Sequence, residues 1–294
     1  MKVFNFGSIN IDHVYRVPHL VEPGETLASL SLSTVLGGKG ANQSIALARA
    51  GASVCHIGRV GEQDLWAEQQ MKDAGVDVSL LESVETPSGH AIIQVDEGGE
   101  NSIILHGGAN SSFAKGDIST LLSDARQGDW LLMQNECNAV PEAFAVAAER
   151  QLKIAFNPAP MTDSTHRLPL EHCELLIVNE TEACALAQAT DPESAAERLS
   201  ERFDQTRVVI TLGAQGAKLL HRTKTYRQNG ISVDVVDTTG AGDTFVGYYL
   251  AALMHGIDDP AALRRACAAS ALSVTRQGAS PAIPAAAEVD TFLD

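Results

Sequence analysis

Between Val235 and Phe245 the chain reads Val-Val-Asp-Thr-Thr-Gly-Ala-Gly-Asp-Thr-Phe, an apolar run that breaks into small residues around Asp243 before an apolar helical pattern begins. Gly240, Ala241 and Gly242 carry almost no side chain, so their N–H groups can converge at the amino end of that helix, where an anion is favoured. Asp243, in the first helical turn, is placed to accept the proton of an attacking hydroxyl. Phosphoryl transfer requires this pairing of a charge sink with a base. Thr and Asp before a helix also serve as ordinary N-caps, and on this motif alone the two readings stand level.

Other segments have the same character. Gly37-Gly38-Lys39-Gly40-Ala41-Asn42-Gln43 opens a helix with three glycines in four residues, which allows close approach of backbone to a ligand. It is neither a G-x-x-x-x-G-K-[ST] phosphate loop nor a G-x-G-x-x-G dinucleotide fingerprint. Asn10 and Asp12 follow the first strand, at the carboxyl edge where α/β sheets bind ligands. An amide and a carboxylate suit adjacent sugar hydroxyls, although a strand-to-turn cap uses the same residues. Asn179-Glu180-Thr181-Glu182 follows another strand, and its acids can hold Mg²⁺ through water or cap a helix. Thr211-Leu212-Gly213-Ala214-Gln215-Gly216 is a strand-to-glycine turn suited to a nucleotide's phosphate or ribose.

Positioning these segments requires a sheet. Val3 to Gly7, Ala52 to Ile57, Trp130 to Met133, Ile154 to Phe156, Leu175 to Val178 and Val208 to Leu212 read as buried strands. Helical patterns at Ala41 to Ala50, Leu65 to Ala74, Ala139 to Arg150, Glu180 to Ala189 and Ala195 to Phe203 alternate with them, so the expected fold is a mainly parallel sheet with helices on both faces. Val14 to Val35 and His90 to Leu105 instead read as antiparallel hairpins, with turn signals at Glu22-Pro23-Gly24 and Asp96-Glu97-Gly98-Gly99. They form either a small sheet able to act as a lid or two edge hairpins. There is no internal repeat, low-complexity tract or long linker.

Composition narrows the function classes. The 294 residues are 45% hydrophobic and carry 37 acids against 21 bases, a net charge of −16 that argues against nucleic acid as a partner. No apolar run reaches the roughly 18 residues of a membrane span, and the opening residues lack a signal-peptide pattern, so a cytoplasmic protein with no membrane partner is expected. Cys55, Cys137, Cys173, Cys184 and Cys267 never form C-x-x-C, and the nine histidines show no metal-ligand spacing. Neither a disulfide framework nor a zinc site is indicated.

The ordered set Gly7-Ser8-Ile9-Asn10-Ile11-Asp12, Pro23-Gly24-Glu25-Thr26, Gly37-Gly38-Lys39-Gly40-Ala41-Asn42, Asn157-Pro158-Ala159-Pro160, Asn179-Glu180-Thr181-Glu182 and Asp237 to Phe245 resembles the ribokinase branch of the PfkB carbohydrate kinases. The resemblance covers nearly the whole chain and continues through Ser273-Val274-Thr275-Arg276-Gln277-Gly278-Ala279. It implies a three-layer α/β sandwich with a mainly parallel central sheet and a small antiparallel β-sheet lid that covers the sugar and often pairs two subunits. Residues 1–10, 37–88 and 107–294 would form the α/β domain, and 11–36 and 89–106 the lid. It implies Asp243 as general base and Gly240, Ala241 and Gly242 as the anion hole. Asn10, Asp12, Gly38, Lys39, Asn42 and Glu136 match sugar-contacting positions. Asn179, Thr211, Gly213, Gly216 and Gly242 match the ATP side, with Glu182 towards Mg²⁺. Oxygens of Asp237, Thr239, Ser273, Arg276 and Gly278, mostly backbone carbonyls, match a K⁺ site.

The sequence departs from the family pattern in three places. Ala282 stands where ribokinases often have serine, removing a hydroxyl from the cation site. Cys267 stands where relatives often carry asparagine near the adenine, and Ile11 where many have a smaller residue. Asn10 with Asp12 favours ribose, because the carboxylate can accept from neighbouring ring hydroxyls and deoxyribose offers one fewer. The expectation is ATP-dependent phosphorylation of D-ribose at its 5-hydroxyl by a homodimer paired through the lid. The alternatives are a sibling kinase for fructose, deoxyribose or a nucleoside, and a sugar-binding module without catalysis, which would have no need of Asp243.

Overall fold

Strands that are apolar on both faces need helices on both sides, and the chain adopts that architecture. The computed structural model describes residues 1–294. Its strands are β1 (Val3–Phe6), β2 (Asn10–Arg16), β3 (Ser31–Gly37), β4 (Val54–Gly61), β5 (Asp77–Val84), β6 (Gly89–Val95), β7 (Asn101–His106), β8 (Trp130–Gln134), β9 (Lys153–Asn157), β10 (Cys173–Asn179), β11 (Arg207–Thr211), β12 (Gly216–His221) and β13 (Lys224–Asn229). The helices are α1 (Lys39–Arg49), α2 (Leu65–Asp73), α3 (Asp117–Leu121), α4 (Val140–Glu149), α5 (Glu180–Ala187), α6 (Pro192–Arg202), α7 (Ala241–Met254), α8 (Asp259–Ser273) and α9 (Ala286–Leu293).

Nine strands form one sheet in the order β13-β12-β11-β10-β9-β8-β1-β4-β5. Neighbours from β11 to β5 run parallel, and β12 and β13 close one edge antiparallel. Side chains alternate between two cores with period two. Val3, Val54, Leu132, Ala155, Ile177 and Val209 pack against α1, α2, α7, α8 and α9. Phe4, Ile57, Met133, Phe156, Val178 and Ile210 pack against α3 to α6. The strands β5, β12 and β13 had no sequence expectation. β5 and β13 are the edge strands and β12 lies next to β13, and in all three the apolar run is interrupted by polar residues such as Asp, Ser, Lys, Arg and Gln.

The two hairpins pair antiparallel, as expected, but they are not separate decorations. Parallel pairing of β2 with β6 joins them into a four-stranded sheet, β3-β2-β6-β7, in which Asp12 lies opposite both Val35 and Ala91. The Glu22-Pro23-Gly24 turn sits inside a long connection between β2 and β3, closed by Glu25 N–H donating to Glu22 O at 3.0 Å. No helix is long and apolar enough to cross a membrane, and all five cysteines are free thiols.

Candidate active site

The amino end of α7 is built around Gly240, whose φ of 72° is left-handed and whose added Cβ would sit 2.9 Å from that of Ala279. Only glycine both adopts this turn and clears the neighbouring loop. Thr244 N–H donates to Gly240 O at 2.8 Å, and Ala241 N–H is occupied by Thr238 O at 3.2 Å, while the N–H groups of Gly242 and Asp243 have no acceptor in the protein. Of the residues expected to form the anion hole, Gly240 and Gly242 line the cavity beside Asp243, whereas Ala241 faces the adjoining cavity. Asp243 does not cap its own helix. Its Oδ2 accepts from Asn42 Nδ2 at 3.0 Å and its Oδ1 from Gln43 Nε2 at 2.9 Å, both side chains of α1. Burial pushes the Asp243 carboxyl above the ordinary carboxylate range, opposed by the Lys39 ammonium and these two amide donors.

Helix α1 begins in contact with the turn between β1 and β2. Gly40 has no room for a Cβ, which would come within 2.4 Å of Gly7 C and Ser8 N. The contact is fastened by Ala41 N–H to Ser8 O at 2.9 Å and Gly40 N–H to Ser8 Oγ at 3.2 Å. Glu136, just beyond β8, accepts from Lys39 N–H at 3.2 Å and from the Ser8 hydroxyl. The result gathers Asn10, Asp12, Gly38, Lys39, Asn42 and Glu136 around one helix end. Asn10 and Asp12 belong to β2 itself rather than to a strand-to-turn cap. Asn10 Oδ1 accepts from Asn110 Nδ2 at 2.8 Å, and Asn42 Oδ1 is buried without a partner, an acceptor open to a substrate hydroxyl. Burial and the nearby Glu136 raise the Asp12 carboxyl to about 7, against the pull of Lys39. Burial pulls the Lys39 ammonium down, but Asp243, Glu136, Glu182 and Asp12 together hold it above its ordinary value.

The residues expected to contact ATP line two adjoining cavities. One, of about 160 Å³, is lined by Lys39, Asn179, Glu182, Thr211, Gly242 and Asp243. The other, of about 430 Å³, is lined by Thr211, Gly213, Gly216, Gly242, Phe245 and Cys267. Thr211 and Gly242 border both, so Asn179 stands apart from the other expected ATP residues, on the smaller cavity. The capping alternative for Asn179-Glu182 is realised: Asn179 Oδ1 accepts from Glu182 N–H at 2.8 Å and Glu182 Oε2 from Asn179 N–H at 2.9 Å. Glu182 Oε1 remains free, and burial raises this carboxyl despite the Asn179 N–H and Lys39. A cavity of about 400 Å³ at the opposite ends of the strands contains Arg207, which is paired with Glu174 at 2.7 Å and with Asp259 at 3.0 Å.

No group of three His, Cys, Asp or Glu side chains is placed to cage a metal. Mg²⁺ keeps several waters and takes one or two carboxylates plus phosphate oxygens, so a single free carboxylate oxygen at Glu182 fits it. The residues expected at the K⁺ site meet in one loop junction. Asp237 Oδ1 accepts from Thr239 N–H at 2.9 Å and Thr239 Oγ1 at 2.6 Å, and Asp237 Oδ2 from Gly278 N–H at 2.9 Å. Ser273 turns its hydroxyl to Ser270 O at 2.8 Å, and Arg276 turns its guanidinium to Glu288, so backbone oxygens are what these two residues can offer. Ala282 is buried beside this junction without a hydroxyl.

Two residues had no assigned role in the sequence reading and prove central here. Gln43 was visible only as a member of the glycine-rich opening, yet it holds the Asp243 carboxylate. Asn110 accepts from Ile9 N–H at 2.9 Å and donates to Ile9 O at 3.1 Å as well as to Asn10, fixing the start of β2. The signal for Gln43 was a polar side chain just ahead of the apolar run Ile45 to Ala48 of α1; for Asn110 there was none.

Residues 1–286 match the family model described as pfkB family carbohydrate kinase. The ribokinase of Haemophilus influenzae is 38% identical over 299 residues, spanning 98% of this chain and 97% of its own. The structure of Arabidopsis thaliana ribokinase complexed with ribose and ATP aligns with a TM-score of 0.88 at 29% identity, covering 100% of this chain and 98% of that one. The ribokinase of Cryptococcus neoformans var. grubii in complex with ADP gives the same TM-score at 32% identity, covering 99% of each chain. With a family match over almost its full length and a fold shared end to end, the chain belongs to the pfkB family of carbohydrate kinases, which are phosphotransferases.

Proposed function

We propose that the protein transfers the γ-phosphoryl of MgATP to the 5-hydroxyl of D-ribose, giving ribose 5-phosphate. The observation that carries this reading is the Asp243 carboxylate, held on both oxygens by α1 amides at the open amino end of α7, between the Asn10 and Asp12 strand and the nucleotide cavities. Asp243 takes the proton of the attacking hydroxyl. The free N–H groups of Gly242 and Asp243, with the Lys39 ammonium, meet the charge on the transferring phosphoryl group. Asn10, Asp12, Gly38, Lys39, Asn42 and Glu136 hold the sugar, and Thr211, Gly213, Gly216 and Asn179 the nucleotide. Mg²⁺, held towards Glu182 through water, neutralises phosphate charge when bound. The Asp237, Thr239, Ser273, Arg276 and Gly278 junction would hold K⁺ through backbone oxygens.

The four-stranded sheet, residues 11–36 and 89–106, acts as a lid that excludes water from the reaction. Its Asp12 face carries Val35, Ile103 and Leu105, exposed by 37%, 55% and 52%, and a second copy covers them. In sedimentation velocity the protein should run as a dimer, and Ile103→Lys with Leu105→Lys should yield a monomer with a raised KM for the sugar. A wild-type monomer overturns the pairing. The acid excess and the free thiols support a cytoplasmic location, without nucleic acid or membrane partners.

The direct test is an ATP-dependent phosphorylation assay across ribose, deoxyribose, fructose, other pentoses and nucleosides, with Mg²⁺ and with or without K⁺. The expected result is a kcat/KM for ribose at least about tenfold above the rest, since a site built to bond a hydroxyl rejects the sugar that lacks it. Preference for another acceptor overturns the ribose assignment. Stimulation by K⁺ supports the cation junction, and indifference to it removes that site.

A further inference from the structure

Four neighbouring strands break their apolar pattern on the same face. Asn5 of β1, His56 of β4, Gln134 of β8 and Asn157 of β9 all point to the α1 side and are buried, as are Gln43 and Ser44 of α1. Gln43 Nε2 gives one proton to Asp243 Oδ1 at 2.9 Å and the other to Asn157 Oδ1 at 3.1 Å, while Gln43 Oε1 accepts from Gln134 Nε2 at 2.7 Å. Gln134 Nε2 also donates to Asn5 Oδ1 at 3.0 Å, and Asn5 Nδ2 donates to Gly40 O and Ser44 Oγ, both at 2.8 Å. Ser44 Oγ lies 2.9 Å from His56 Nδ1, and burial depresses the His56 pKa to about 3, so the chain meets a neutral ring here. Every amide is thereby oriented. Turning any one would bring like atoms together, nitrogen against nitrogen at Asn5, Gln43 or Asn157 and oxygen against oxygen at Gln134, and the chain ends with a fixed N–H aimed at Asp243.

From this geometry we infer that Gln43 is a positioning residue for phosphoryl transfer, locked by Gln134 and Asn5 so that it fixes the plane of the Asp243 carboxylate and favours its ionised form. The inference rests on the reading of Asp243 as base and extends it to a residue whose amide is fully taken up by protein partners and which lines neither cavity. The charged groups around Asp243 are Lys39 on α1 and Glu136 beyond β8, with Glu182 on α5 across the same cavity, and none of them is altered by a change at Gln43. Gln43→Glu keeps the shape and the acceptor for Gln134 but places a second carboxyl against Asp243, where like charges share a proton.

The test compares Gln43→Glu, Gln43→Met and Asp243→Asn with wild type, using the acceptor on which wild type is most active. Both Gln43 variants should lower kcat at pH 7 by at least about tenfold, move the acid limb of the pH profile up by about one unit or more, and leave the sugar KM within about threefold. The Asp243 carboxyl resonance in ¹³C NMR, assigned by its absence in Asp243→Asn, should titrate higher in both variants by the same margin, a readout that needs no turnover. A wild-type limb and midpoint in a folded Gln43 variant, with Asp243→Asn inactive, overturn the positioning role alone. Near-normal turnover by Asp243→Asn overturns the base assignment and this inference with it.

Discussion

Asp243→Asn is expected to reduce kcat by roughly 10³-fold or more, near the upper part of the 10²- to 10⁴-fold range that a positioned base contributes, with sugar affinity in calorimetry changed by no more than a few-fold. The amide keeps the size of the carboxyl but cannot accept a proton. It also offers one acceptor oxygen to two donors, Asn42 Nδ2 and Gln43 Nε2, so one buried N–H loses its partner at a cost of about 1–3 kcal/mol. Since burial raises the Asp243 carboxyl, the wild-type rate should fall as pH drops through values above the ordinary carboxylate range. The same shift means that the folded state holds this proton more tightly than the unfolded chain, so ionisation of Asp243 lowers stability as pH rises, and the Asp243→Asn variant loses that dependence. Turnover within about tenfold of wild type would show that another group takes the proton.

How much of this could be read from the chain is clearest at two segments that were ambiguous in the same way. Asp243 and the Asn179-Glu182 pair each allowed a capping or a functional reading, because both place acids in a first helical turn. The structure separates them by side-chain direction: Asn179 and Glu182 bond each other across their own helix start, while Asp243 reaches over to α1. Direction depends on a contact between residues 200 positions apart, which no local pattern encodes. The central strands were legible because burial on both faces leaves a continuous apolar run, as in Leu175 to Val178. The edge strand β13, Lys-Thr-Tyr-Arg-Gln-Asn, has no such requirement and reads as loop.

The buried amides show a different limit. Asn5, His56 and Gln134 each interrupt an apolar strand, and singly they look like tolerated polar residues. Only sheet order brings β4, β1, β8 and β9 side by side, turning four isolated interruptions into one hydrogen-bonded path that ends at Asp243. Burying so many amides is costly unless all are paired. The acceptors left open, Asn42 Oδ1 and Gln134 Oε1, lie along the same path, and the first of them belongs to a side chain that bonds Asp243.

Asp12 is where sugar affinity should answer to pH. Burial and Glu136 raise its carboxyl to about 7, so it gains and loses its proton near neutrality rather than in the ordinary carboxylate range. Sugar hydroxyls donate to the carboxylate, hence binding favours the ionised form and must release a proton. Sugar affinity should therefore strengthen as pH rises from about 6 to about 8, and calorimetry near pH 7 in buffers of different ionisation enthalpy should register that release. Asp12→Asn should abolish both effects and weaken binding at pH 8 by roughly 10- to 100-fold, the equivalent of about 1.5–3 kcal/mol for a hydrogen bond to a charged group. Stability should move the opposite way. Because the folded pKa lies above that of the unfolded chain, Asp12 favours the native state at low pH and this contribution is lost as pH rises towards about 7, so the Asp12→Asn variant should melt several degrees higher than wild type at pH 8. Proton uptake on binding would mean that Asp12 meets the sugar as a neutral donor, and a pH-independent affinity that its protonation is not linked to sugar binding.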